Sequence, residues 1–388
     1  MKRSRPADDT LRSLSEVEAD EPVVVSLFLN LDPAEFATAQ ARASQVTSLL
    51  SELDGLLRDR ELSSDALAEL ASDRERMEAV LRDEALDIGD AAGLAVYSSH
   101  ALEVFEVVKL ADPVDAAVFV EQRPILEPVI GLQDDGAWCV LLVTRDTARV
   151  FRGGPTVIRE VRDLRSEVKN QHSAGGWSQA RFERSVEQEV EWHLERAAEL
   201  LFRVFKRRPF DHLIIGANNE ALRPALTSET HAYLAERIRG WVDIDEKLAS
   251  DDEVLEAVRA VMDAHFEQEE SALFERFAAQ EGSGEGRAVQ GLEPVLAALV
   301  ERKVETLLVR EGAQAPGSKC VTCGWLGPAG LERCVVDDTA LDALEDIVEA
   351  AIQAAIQQAA AVHVVRADDA RGNAATPFSE PIAALLRY

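Results

Sequence analysis

Phe182, Val186, Val190, Leu194, Ala197, Leu201 and Val204 recur at steps of three and four, a pattern that commits the chain to one long amphipathic helix ended by Pro209. The segment that opens it, His172-Ser-Ala-Gly-Gly-Trp-Ser-Gln179, sets Gly175 and Gly176 just ahead of the helix. Adjacent glycines remove two side chains and permit positive φ, so the backbone there can turn sharply or approach a ligand closely. Gln179 then falls where amide N–H groups lack intrahelical partners, a setting that suits an oxyanion, a phosphate or an ester carbonyl under attack by water. A Gly-Gly turn before a helix is ordinary by itself, and its meaning depends on its surroundings.

Those surroundings read as α/β. Trp138-Cys-Val-Leu-Leu-Val, a turn at Arg145-Asp-Thr, Ala148-Arg-Val-Phe and Gly153-Gly154 form a β-hairpin signature. After Pro209, Asp211-His-Leu-Ile-Ile-Gly-Ala reads as a short buried strand, followed by Asn218-Asn219 and another helix. At 388 residues the chain exceeds one ordinary core. The divisions expected are an α/β domain over 1–135, a mixed-sheet α/β domain over 136–285, and an α/β/α domain over 286–388. In the first, Pro22–Asn30 reads as a strand, 35–86 as a helical stretch, Leu94–Tyr97 and Val104–Val108 as strands, and the Pro124–Pro128 region as a connector. The acidic helical run Asp251–Gln280 ends in Glu281-Gly-Ser-Gly-Glu-Gly, a flexible boundary. In the third, helix Leu292–Glu301 and strand Glu305–Arg310 precede a cysteine-bearing insert, a long Ala-rich helix from Asp338 and strand Ala361–Val365.

The net charge of −30 argues against general coating of nucleic acid, yet it is uneven. Arg145–Arg208 holds fourteen Lys or Arg against ten Asp or Glu, a local net of +4. That island can face phosphates or simply be a solvated, ion-paired helix face. No apolar run is long enough to span a membrane, which excludes a membrane partner and makes the cytoplasm the expected location. Cys320-Val-Thr-Cys323 and, ten residues on, Cys334-Val-Val-Asp337 have the spacing of two facing knuckles. They could supply a tetrahedral Cys3Asp site for structural zinc, with His363 or water as substitutes for the aspartate; otherwise the cysteines pack as small hydrophobes. Cys139 lies in a central strand and reads as core. So does His193, on the apolar stripe. His172 reads as a solvent-facing loop residue more readily than as a base, and Asp146 as a turn residue more readily than as a nuclease carboxylate.

Gly291-Leu-Glu-Pro-Val-Leu-Ala-Ala-Leu-Val-Glu-Arg-Lys-Val-Glu-Thr-Leu-Leu-Val resembles the opening of the third domain of archaeo-eukaryotic class I peptide chain release factors. Ala375-Thr-Pro-Phe378 and Ile382-Ala-Ala-Leu-Leu-Arg-Tyr388 resemble that family's closing segment. Between these stretches and the hairpin lies the loop, where the family carries Gly-Gly-Gln before a long helix. The resemblance covers about residue 136 to the end, and it implies a three-domain architecture with an L7Ae/L30e-like C-terminal domain. Trp177 and Ser178 separate the glycine pair from Gln179, so Gly176-Trp-Ser-Gln179 looks more like the Gly-x-x-Gln of ribosome quality-control peptidyl-tRNA hydrolases. Bacterial, actinobacterial-type members of that branch are the likeness drawn. The first segment has no Asn-Ile-Lys-Ser, the family's stop-codon signature.

The resemblance implies entry into the A site of a 70S ribosome and hydrolysis of the peptidyl-tRNA ester without reading a stop codon. Gln179 would orient the water, largely through its backbone amide, while Gly175 and Gly176 let the loop enter the transferase centre. Ser178 would donate a hydrogen bond or cap the helix, and Trp177 would stack on a terminal base. Arg181, Arg184 and Arg196 would meet tRNA or ribosomal phosphates. Attack by a ribose hydroxyl, cutting tRNA near its CCA end, is another chemistry the branch suggests. A translational GTPase is a further implied partner, and no catalytic cofactor is expected. Some third domains of the family carry a zinc-binding insertion like the cysteine segment here. The competing readings are a ribosome hibernation or stress factor that fills the A site and peptidyl transferase centre without cleaving, and a metal-dependent nuclease.

Overall fold

Strand β1 (Val24–Asn30) follows helix α1 (Pro6–Ser15), and its apolar run is buried along nearly its whole length. The computed structural model describes residues 6–388 except 33–34, 37, 61, 84–87, 89–90, 111, 134–136, 167–178, 218–219, 221, 245–249, 283–285 and 366–376. Two compact units result: Asp135–Phe266 with Gly89–Ala91 form one, and Met1–Ile88, Ala92–Asp134 and Glu267–Tyr388 form the other.

After β1, the predicted helical stretch over 35–86 is two helices, α2 (Ala39–Asp59) and α3 (Ser64–Leu81). The side chains of Thr38 and Ser63 accept from the amides of Ala41 and Ala66, so the second helix has its own N-cap and the chain turns between them. Strands β2 (Gly93–Ser99), β3 (Val104–Leu110) and β4 (Ala117–Glu121) complete an antiparallel sheet ordered β3-β2-β1-β4. The predicted connector at Pro124–Pro128 runs into a helix, α4 (Glu127–Gln133). Pro128 falls in its first turn, where the missing N–H would have had no partner.

The unit containing the long helix begins with β5 (Trp138–Val143), β6 (Thr147–Gly153) and β7 (Ile158–Arg165), then α5 (Gln179–Arg207) and β8 (His212–Gly216). It continues through α6 (Leu222–Glu229), α7 (Ala232–Ala235), β9 (Ile238–Val242) and α8 (Asp251–Gly282), whose residues from Glu267 onward belong to the other unit. The sheet order is β7-β6-β5-β8-β9, with β5 antiparallel to β6 and parallel to β8, a mixed sheet. Alternation along β5 divides the core. Cys139, Leu141 and Val143 share a cluster with Val190, Leu194, Ala197 and Leu201 of α5, whereas Trp138, Val140 and Leu142 pack with Val254, Val258 and Met262 of α8. Strand β7, Ile-Arg-Glu-Val-Arg-Asp-Leu-Arg, is a mostly exposed edge strand, and so few apolar positions left no strand signal.

The remaining elements are β10 (Ala288–Gln290), α9 (Leu292–Val300), β11 (Val304–Arg310), β12 (Gly317–Lys319), β13 (Leu326–Pro328), β14 (Asp342–Leu344), α10 (Ile347–Gln357), β15 (Ala361–Val365) and β16 (Ile382–Leu386). The sheet β10-β16-β11-β15 buries Leu307, Val309, Ile382 and Ala384 with α9 and α10, and Leu308, Ala383 and Leu385 with Phe274 and Phe277 of α8. This is the α/β/α layering expected of the C-terminal segment. The Ala-rich helix begins at Ile347 and not at Asp338, because the Asp346 carboxylate accepts from Val348 N–H as its N-cap and β14 occupies the residues before it.

Leu14, Phe28, Tyr97 and Leu126 share one core with Val295, Leu299 and Ile352, so the first and last segments of the chain close on each other within their unit. Glu349 of α10 is buried there and accepts from the amides of Leu126 (2.9 Å) and Glu127 (3.3 Å) at the start of α4. Burial above all, helped by the negative charges of Asp346 and Glu127, pushes its carboxyl up to about 8. A carboxyl raised on folding binds its proton more tightly in the folded chain, so stability falls as pH rises from about 4.5 to about 8. Over that window unfolding should become easier by on the order of 1 kcal/mol per pH unit. Glu349→Gln removes the titrating group while keeping an acceptor for one of the two amides, and should flatten this dependence in a pH series of chemical denaturations.

Candidate functional site

Ser166 follows β7 immediately before the segment that carries the glycine pair, and three residues hold it. Its amide donates to the carbonyl of Asp146 (2.7 Å) in the β5–β6 turn. Its hydroxyl lies 2.5 Å from Nδ1 of His193 and accepts from the guanidinium of Arg196, both on α5. Burial lowers the pKa of His193, which keeps the imidazole neutral and able to pair with a hydroxyl. The turn is organised by Thr144, whose Oγ1 accepts from the amides of Asp146 (3.1 Å) and Thr147 (2.8 Å) and lies 2.9 Å from Asp146 Oδ1. Asp146 thus works as a turn residue, as its sequence context indicated.

This clamp fixes one root of the loop. The other root is the first turn of α5, which begins at Gln179, fourteen residues and about 21 Å of helical rise before His193. Ser166, at the end of β7, therefore lies beside the middle of α5 and not beside its first turn. Removing the Ser166 hydroxyl should leave Nδ1 of the buried His193 without its partner, whereas exposed Arg196 can turn to water. We expect Ser166→Ala to destabilise this unit by about 1–3 kcal/mol, read from its denaturation midpoint.

Gly175, Gly176, Trp177 and Ser178, with His172, lie outside the described residues. Gln179, Arg181 and Arg184 belong to α5, and their side chains lie outside the described residues as well. Arg196 is exposed and already engaged with Ser166. Sequence reasoning singled out neither Ser166 nor its link to His193. A serine at the end of a charged edge strand carries no signal of its own, and the tie spans 27 residues.

The cysteine insert does assemble. Single ligand atoms from Cys320, Cys323, Cys334 and Asp337 all lie within 4.8 Å of one another. Two turns with the same hydrogen-bond pattern bring them together. Cys320 N–H donates to the Trp325 carbonyl and Cys334 N–H to the Thr339 carbonyl, each at 2.8 Å. Gly324 N–H donates to Cys320 and Asp338 N–H to Cys334, at 2.9 and 3.0 Å. The residue after the second ligand has positive φ in both turns, 73° at Gly324 and 58° at Asp338. Asp337 therefore occupies the place in the second turn that Cys323 occupies in the first.

Four ligands around a metal with bonds of about 2.3 Å stand roughly 3.8 Å apart in a tetrahedron. Cys323 and Cys334 Sγ are 3.5 Å apart, and Cys320 Sγ is 3.5 Å from Asp337 Oδ2. All four cysteines of the chain are free thiols. The Thr339 hydroxyl (2.6 Å) and amide (3.1 Å) hold the Asp337 carboxyl well below the usual carboxylate range, and the Thr339 hydroxyl helps lower Cys320 to about 7. The group could hold a metal ion. His363, the alternative ligand, sits instead on β15, 3.8 Å from Glu270. Cys139 is fully buried in β5, and burial pushes its thiol up to about 12.

Residues 129–263, which include the clamp and the loop, match the model of a family described as bacterial archaeo-eukaryotic release factor family 10. Peptide chain release factor subunit 1 of Thermococcus sibiricus is 26% identical over 328 residues, covering 76% of this chain and 79% of that protein. The same factor of Thermococcus onnurineus is 27% identical over 208 residues, and there the chain spans about half of the relative's length, 50%. Among solved structures, an archaeal translation termination factor, aRF1, aligns at 17% identity over 98% of this chain and 96% of its own, with a TM-score of 0.26. Pelota of Archaeoglobus fulgidus aligns at 15% identity over 76% and 79%, with a TM-score of 0.31. The family and sequence matches support a relation to the release-factor superfamily. Among the described residues, no helix is long and apolar enough to cross a membrane.

Proposed function

We propose that this protein is a ribosome-associated hydrolase of the release-factor kind, which places Gln179 beside peptidyl-tRNA in the A site and frees the peptide without reading a stop codon. The observation that carries this reading is the place of the Gly175–Gly176 pair in the sequence. The pair lies between a clamped sheet edge and the first turn of a 29-residue helix, within the span matched to release factor family 10. Such a helix end offers unpaired amides to a developing oxyanion, and a side-chain-poor approach lets it enter a narrow cavity. The net positive stretch Arg145–Arg208 surrounds the same segment, which favours an approach to RNA phosphates.

The direct test is release of labelled peptide from stalled ribosomal complexes with a sense codon or no codon in the A site. Release at catalytic amounts of protein supports the proposal. Tight ribosome binding without release favours the occupying, non-hydrolytic factor, a reading to which the two residues between Gly176 and Gln179 lend weight. A translational GTPase would deliver the protein in either case.

Zinc is the ion that the donor set of the insert suits best: three thiols and one ionised carboxylate, close-packed in paired knuckles. Its role would be structural, with Cys320, Cys323, Cys334 and Asp337 filling every position and leaving no open site for a reacting water.

A further inference from the structure

A second surface of the unit that holds α5 has the geometry of a contact for RNA, and it lies at the opposite end of that helix from Gln179. Phe202 near the end of α5, His231 and Tyr233 of α7 form a column of nearly parallel rings. Phe202 and His231 centroids are 4.5 Å apart with an interplanar angle of 8°, and His231 and Tyr233 are 5.0 Å apart at 13°. The ammonium of Lys206 caps the inner end, 4.5 Å over the Phe202 ring.

The column is held in place by its own backbone. His231 is the N-cap of α7, and its Nδ1 accepts from the Tyr233 amide at 3.3 Å. Leu234 is buried in the core beside Tyr233, and the Arg237 guanidinium donates to the Tyr233 carbonyl. Phe202 is half-buried, His231 and Tyr233 are exposed, and Tyr233 at the end of the column is 62% exposed. Burial does not call for a large aromatic there.

We propose that this column is a platform on which an unpaired RNA base stacks against Tyr233, while the phosphates beside it meet the basic end of α5. The last seven residues of α5, Leu-Phe-Arg-Val-Phe-Lys-Arg, carry Arg203, Lys206 and Arg207 and no acid, in a chain whose net charge is −30. A planar, electron-rich face bordered by cations matches the two features every nucleotide offers, a π-face and a phosphate. Duplex RNA shows its phosphates but hides its base faces, so the occupant is single-stranded. Phe202 stands 23 residues after Gln179, about 35 Å of helical rise away. The platform is therefore a separate contact. It goes beyond the loop's proposed chemistry and stands or falls without it.

The experiment uses the full-length protein and an adenosine ribo-oligomer carrying one fluorescent adenine analogue, at low ionic strength. Stacking on Tyr233 should quench the analogue on binding. Tyr233→Ala should bind about ten-fold more weakly and lose the quenching, whereas Tyr233→Phe should retain both. Arg207→Gln should lower the salt dependence of binding by about one counterion and leave the quenching intact. Because Tyr233 is exposed, the denaturation midpoint of the alanine variant should match wild type and so separate binding from folding. Unchanged affinity and quenching in Tyr233→Ala would overturn the platform. So would equal binding of duplex RNA, absence of binding by the wild type, or loss of a protein partner in Tyr233→Ala with RNA binding unaltered.

Discussion

Gly176→Ala should release peptide from stalled ribosomal complexes about a hundred-fold more slowly than wild type, or worse, while binding those complexes with unchanged affinity. The proposed chemistry asks the backbone ahead of α5 to pass through a confined space and present an amide to an ester. A methyl group at 176 restricts the conformations available there and adds bulk where the approach is closest. Misplacement by about 1 Å is enough to lose two orders of magnitude in a reaction that depends on orientation. Gln179→Ala is the informative companion. It keeps the backbone amide and removes only the side chain, which in the proposed reaction would narrow the space for nucleophiles. The expected result is slower hydrolysis with wider tolerance, so that a small added nucleophile such as hydroxylamine is accepted more readily than by wild type. If both variants release peptide as wild type does, the loop has no part in the reaction.

The second large effect concerns the paired turns at Cys320–Cys323 and Cys334–Asp337. Purified protein should contain about one zinc per chain by elemental analysis, and Cys334→Ser should contain almost none. Structural zinc in isolated zinc-binding peptides is worth about 10–16 kcal/mol of apparent binding free energy, and that free energy is folding free energy. Here the turns are joined to a larger core, through the β12–β13–β14 sheet and the Ile347 face of α10, so only part of it appears in global stability. Stripping the metal should lower the thermal midpoint by roughly 5–10 °C. Asp337→Cys tests the pseudo-symmetry itself. Since Asp337 stands where Cys323 stands in the first turn, a thiolate there should fit without rearrangement and hold zinc longer against a chelator. Purified protein free of zinc and fully stable would show that the cysteines merely pack, and zinc retained by Cys334→Ser would place the ion elsewhere.

Much of this architecture was legible in the sequence, and the reasons are local. The stripe from Val186 to Val204 and the stop at Pro209 define α5, which ends at Arg207. The Cys-x-x-Cys and Cys-x-x-Asp spacings foretold a cluster that the paired turns do assemble. What stayed hidden depended on tertiary partners. The β7 sequence alternates too weakly to read as a strand and exists because β6 pairs with it from Thr147 to Gly153. The break between α2 and α3 rests on the Ser63 cap, a signal available in the sequence but outweighed by the run of helix formers around it. Glu349 reads as a surface residue of an Ala-rich helix, and only the fold brings the amides of Leu126 and Glu127 to it across more than two hundred residues. The clamp on Ser166 and the ring column at Tyr233 are likewise meetings of distant segments, with no motif to announce them.

In the proposed reaction the tip ahead of α5 reaches an acyl bond inside the ribosome. Cryo-electron microscopy of the slow Gly176→Ala variant on a stalled complex carrying intact peptidyl-tRNA tests this most directly. The Gln179 amide is expected within about 3–4 Å of the ester carbonyl, with the Ser166 clamp preserved behind it. Finding the 167–178 segment seated elsewhere, with the ester beyond its reach, would contradict it.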